Sequence, residues 1–246
     1  MARALDVSIL VRLVDRVTAP LRALQRAFER LGALASRIGV LGGAIAAISF
    51  MTPIHQAAAF EQKLRDLVVT AGQFGEAAET RIKAVKVEMF DLALQVGIVA
   101  DQLADAQAQL TSSGMSDAAA SKLLPIIGRV AKAASALPAD VAKVTFALSD
   151  TLGVATDQME KQLGKLVAAG KLGRFEFKDM ARELPRLTSA MKNLGVTGGE
   201  AVSTLGAALQ VAMFGTDSTA TAANNFKNFL DKLLSPDALK NFKEMG

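Results

Sequence analysis

Val7, Ile9, Val11 and Leu13 alternate with Asp6, Ser8, Leu10 and Arg12. That period of two predicts a short strand at the start of the chain. After Asp15 the period changes. Thr18 is placed to cap a helix, and Pro20 suits a first turn, where its missing N–H has no partner to lose. From Leu21 the apolar positions run Leu21, Leu24, Phe28, Leu31, Ala35, Ile38, Gly42 and Ile45, spaced alternately by three and four. This is a heptad seam of about four heptads, near the minimum for a coiled coil. Its alternative is one amphipathic helix packed on its own domain.

The stretch IGVLGGAIAAISFMTPI, Ile38–Ile54, carries no charge. Gly39, Gly43 and Ala47 recur every four residues, a spacing that lets helix backbones approach closely. Gly32, Gly39, Gly42 and Gly43 each cost about 1 kcal/mol of helix propensity against Ala, which close packing would offset. Seventeen apolar residues lie at the short limit for crossing a bilayer. Three expectations stand side by side: helix–helix packing in a protein assembly, a segment that enters membrane in some state, and a constitutive span. Leu21, Leu24, Phe28, Leu31, Ile38, Gly39, Gly43 and Ile45 are the candidate self-association positions.

Pro53 should end or kink that helix. Beyond it, Gly, Pro and Ser/Asp/Thr punctuation predicts helices near 54–71, 76–96, 100–112, 117–136, 138–152, 156–170, 176–193, 197–213, 217–234 and 236–245. Asp117, Asp140, Thr156 and Asp237 sit near first turns; Gly72, Gly114, Gly153, Gly170 and Gly195 sit near stops. The expected fold is all-α: a long N-terminal helix, preceded by the short strand, then a bundle of stacked short helices. Residues 1–55 form the extended segment and 56–246 the globular helical domain.

Composition agrees. The 246 residues are 51% hydrophobic and 21% charged, outside the disordered range, and rich in helix formers. There is no cysteine, which excludes disulfides and thiolate metal sites. A single histidine, His55, leaves no histidine metal cluster and no ordinary Ser/His/Asp triad. Asp6, Arg12 and Asp15 interrupt what would be the apolar part of a secretory signal, so synthesis in a reducing cytoplasm is expected. No Walker motif, dinucleotide glycine fingerprint or paired His/Glu spacing occurs. No catalytic, metal-binding or cofactor-binding residue is assigned. Phe175 and Phe177 read as core anchors at a helix entry.

The net charge of +4 is uneven. Residues 1–37 hold seven Arg against Asp6, Asp15 and Glu29, a surplus of four, and the remainder balances. Arg22, Arg26 and Arg30 fall four apart, off the seam, as a basic ridge. Such a ridge suits an acidic partner surface or DNA, or is a solvated helix face.

Several stretches together resemble the N-terminal region of phage tail tape measure proteins. DRVTAPL (Asp15–Leu21) is similar to the family's opening before a long helix. AAAFEQKL (Ala57–Leu64) follows a glycine- and alanine-rich apolar segment, as in the family. LTSSGMSDAAASKLLP (Leu110–Pro125) and the stretch from Ala168 to Ala212, followed by TAANNFKNFLDKLLSP (Thr221–Pro236), continue the likeness in order. The resemblance implies a structural virion protein, made in the host cytoplasm and held in a few copies inside the tail tube. It implies roles in setting tube length and in genome ejection, with the tail tube and tail assembly chaperone proteins as partners. Transient membrane contact through Ile38–Ile54 and DNA contact at the basic end are further expectations. Family members are far longer, which implies the N-terminal part of a longer protein or a truncated product. The competing expectation is a membrane-active, pore-forming helical protein.

Overall fold

A computed structural model describes residues 51–233 and 235–245. The chain divides into two compact units, residues 1–61 and 62–246. Of the first, the described residues are the opening turns of one helix. The described elements are α1 (Met51–Thr70), α2 (Gly75–Val96), α3 (Ala100–Ser112), α4 (Asp117–Ala134) and α5 (Pro138–Phe146), which runs into a π turn (Ala147–Thr151). A 3-10 turn (Thr156–Gln158) opens α6 (Met159–Leu172), followed by α7 (Phe177–Asn193) and α8 (Gly198–Ala212). A second 3-10 turn (Met213–Gly215), α9 (Thr219–Leu233) and α10 (Pro236–Glu244) complete the order. No strand occurs among the described residues, and this part is all-α.

Local chemistry explains why the helices are short and their joints tight. α1, α3, α4 and α7 each end in a doubly bonded left-handed turn. The N–H groups of Gly72, Gly114, Ser135 and Gly195 bond to the carbonyls of Val69, Thr111, Lys132 and Lys192. Those of the next residues, Gln73, Met115, Ala136 and Val196, reach back to Val68, Leu110, Ala131 and Met191. These bonds satisfy carbonyls that the helix leaves unpaired. Ser135, at φ 51°, is the one described non-glycine residue with positive φ. The next helix starts within a few residues. Ser116 Oγ accepts from the Ala119 N–H at 3.3 Å, and Ser235 Oγ from that of Ala238 at 3.3 Å. Each helix from α2 to α8 places an acidic residue in its first turn, where it meets the positive end of the helix dipole.

Within residues 62–246 the helices stack in two three-helix layers. α3, α4 and α5 pack on one another, as do α6, α7 and α8. The layers join where α5 and its π turn meet α7 and where α4 meets α6. α2 lies against α3 and α4 at one end, and α9 against α7 and α8 at the other. Leu103, Leu110, Ile127, Leu148, Leu163, Leu166, Leu184 and Leu205 are buried in this core. Burying each is worth about 1.5–3 kcal/mol. Phe175 and Phe177 are buried at the entry to α7, as expected of core anchors.

Three expectations require correction. Pro53 lies inside α1 as described and does not precede it. The helix expected over 138–152 is α for nine residues and then widens into the π turn. Gly170 does not stop α6, which continues to Leu172. A Cβ at Gly170 would lie 2.6 Å from the backbone nitrogen of Phe177, so glycine is needed there for close approach of two chain segments. The expected strand at 7–13 and the long N-terminal helix lie outside the described residues.

Candidate functional site

The sequence-assigned self-association positions (Leu21, Leu24, Phe28, Leu31, Ile38, Gly39, Gly43, Ile45) and the ridge (Arg22, Arg26, Arg30) all lie outside the described residues. Within them the structure brings together two surfaces that the sequence pattern did not single out.

The first is a cleft of about 610 Å³ between α2, α3 and α4, carrying a cluster of charged side chains. Arg81 on α2 donates to Asp117 Oδ2 through Nη2 at 2.8 Å and Nε at 3.1 Å, and to Glu88 Oε1 through Nη1 at 2.8 Å. Gln107 of α3, almost fully buried, donates through Nε2 to Asp117 Oδ1 at 2.7 Å and to Ser121 Oγ at 3.2 Å. Burial opposes the Arg81 charge, but the hydrogen bonds to Glu88 and Asp117 outweigh it and hold the guanidinium above its usual pKa. Asp117 is the first residue of α4, so its carboxylate also meets the helix dipole. Both of its oxygens are committed to this latch, which ties three helices together. Lys63 makes a smaller version on the other side of α3, donating to Asp101 at 2.7 Å and pairing with Asp105 at 2.7 Å. Burial opposes its charge too, and the bonds to the two aspartates raise its pKa on balance.

The second surface is an apolar groove of about 450 Å³ between α8 and α9. Ala208, Val211 and Ala212 form one wall; Asn225, Phe226 and Phe229 form the other. The two Phe rings stack with centroids 6.4 Å apart and planes at 22°. Val211 and Phe229 are 67% and 56% exposed, so the groove is open to solvent. Beside it, Gln210 fixes the connection into α7. Its Oε1 accepts from the Phe175 N–H at 3.0 Å, and its Nε2 donates to the carbonyls of Ala169 and Phe175 at 3.0 and 2.9 Å.

Among the described residues no group of three or more His, Cys, Asp or Glu side chains is placed to hold a metal ion. No described helix is long and apolar enough to cross a membrane. What these surfaces offer is a charged latch that closes the fold and an apolar seat.

Comparison with known proteins places this architecture. Residues 88–246 match the family of phage-related minor tail proteins, and the chain belongs to that family. It is 31% identical over 245 residues to a probable tape measure protein of Burkholderia phage BcepMu. That match takes in 96% of this chain and 28% of the relative's length. No solved structure matches the chain.

Proposed function

We propose that this chain is the N-terminal part of a tape measure protein, a non-enzymatic structural component that governs tail length during assembly and assists genome ejection. The observation that carries this reading is the 31% identity to a probable tape measure protein, sustained through 96% of the chain. An α-helix advances about 1.5 Å per residue, so a long helical chain serves as a ruler. Residues 56–246, folded into short stacked helices, form the globular domain that precedes such a ruler. Copies associate through the seam from Leu21 to Ile45. The Arg22–Arg26–Arg30 ridge faces an acidic surface of the tail tube lumen, of an assembly chaperone or of DNA, and Ile38–Ile54 makes transient membrane contact at ejection.

The test is a phage whose copy of this protein carries Arg22, Arg26 and Arg30 changed to Glu, beside one lacking residues 62–246. Electron microscopy of lysates is expected to show tails that are missing or of irregular length in both. Infectious particles with tails of normal, uniform length from the second phage would overturn the structural role. The same result from the first alone would remove the ridge.

A further inference from the structure

The two layers are related by a shift of 60 residues along the chain. Asp117 begins α4 and Phe177 begins α7; Pro138 begins α5 and Gly198 begins α8; Met159 begins α6 and Thr219 begins α9. Each second position is the first plus 60. The register persists inside the elements. Pro125 and Pro185 occupy the same place within α4 and α7, and the left-handed Ser135 and Gly195 end them. Leu124 and Leu184, Ile127 and Leu187, and Ala131 and Met191 are buried as pairs. Packing repeats as well. α4 meets α6 and, one unit on, α7 meets α9. Short units that stack on their neighbours to bury a continuous core are the mark of a repeat architecture.

This register gives the apolar groove a meaning. In the first junction α7 packs on α5, the π turn and α6. Shifted by 60 residues, that seat falls on α8 and α9. The groove residues Ala208, Ala212 and Phe226 stand where the seat has Leu148, Leu152 and Leu166, all fully buried. The second seat is apolar like the first, yet Ala208, Ala212 and Phe226 are only half-buried. α10 begins near the position where a third helix of the α4/α7 kind is due, and it packs on α9.

We infer that residues 100–233 are built on a 60-residue three-helix repeat, and that the α8–α9 groove is its next stacking seat, an interaction surface for an amphipathic helix of the α7 type. The occupant is recognised by an apolar stripe like that of Met180, Leu184, Leu187 and Met191, which α7 buries. Continuity with the α5–α6–α7 junction favours a helix of this kind over an unrelated apolar ligand.

The test uses the whole chain and a synthetic peptide of residues 176–194. With fluorine-labelled phenylalanine in the protein, the Phe226 and Phe229 resonances are expected to shift saturably as peptide is added. The apparent affinity should fall at least about tenfold in Val211→Asp and Phe229→Asp, a loss of roughly 1.4 kcal/mol or more. These two side chains are more than half exposed, so both variants should fold, and circular dichroism checks it. No shift on peptide addition, or binding unchanged in both variants, overturns the seat. Dimerisation of the peptide-free chain that Phe229→Asp abolishes would assign the groove to a second copy and overturn the choice of occupant.

Discussion

The two layers share an order of helices but not a way of holding together. In the first, α3 fills its crossing with the fully buried side chain of Leu110, and the Arg81–Asp117–Gln107 latch fastens α2 and α4 to it. In the second, the position 60 residues on is Gly170. There the chain gains contact by bringing backbone to backbone, with Gln210 stapling the loop. One topology is thus stabilised by side-chain volume and charge in one copy, and by the absence of a side chain in the other. The difference means that one stacking geometry can be met by two different chemistries.

The contrast is broken most directly at its centre. Leu110→Ala should cost about 2–5 kcal/mol through lost burial and the cavity left behind. Gly170→Ala should cost about 1–3 kcal/mol by forcing α6 away from Phe177, despite the better helix propensity of alanine. Urea midpoints of the two variants measure both, and a neutral or stabilising Gly170→Ala would erase the distinction between the layers.

Next comes the latch. Arg81→Met removes the cation and leaves Asp117, largely buried, without its main partner, at a cost of about 1–3 kcal/mol. The thermal midpoint should fall, while Arg129→Met, whose partner Glu160 is well exposed, should change it little. Equal effects at both positions would mean that the cleft is only a surface ion pair.

The smallest effect concerns alkaline pH. Folding raises the pKa of Lys63, so its contribution is complete below the ordinary lysine value of about 10.4. That contribution is lost as pH rises through the higher folded-state value. Both aspartates are well exposed, which limits it to under about 1 kcal/mol. The stability difference between the native chain and Lys63→Met should shrink above pH ~10.4. A difference that grows there would refute the assignment.

Most of the helical order is legible in the sequence because its punctuation is local. Gly72, Gly114 and Gly195 mark left-handed ends through their own backbone freedom, and Ser116 and Asp117 announce the next start through one hydrogen bond and one charge. Gly170 was misleading for the same reason. A glycine that ends a helix and one that admits a neighbouring backbone look alike until the neighbour, Phe177, is in place. The π turn after Phe146 has no local signal comparable to a cap. The Arg81–Asp117–Gln107 latch joins residues 10 to 36 positions apart, and residue types alone do not bring them together. The 60-residue register is hidden because pairs such as Thr145 and Leu205 keep burial while exchanging chemistry. The seam and the ridge were legible as patterns, but their positions precede the described residues.

The tight joints carry a mechanical consequence. With so few residues between helices, there is little slack for one to slide past another, so a chain drawn out by one end must surrender whole units. Each unit released would lengthen the thread by up to about 200 Å, at some 3.3–3.6 Å for every extended residue. Pulled from one end, such a chain would then yield in discrete steps.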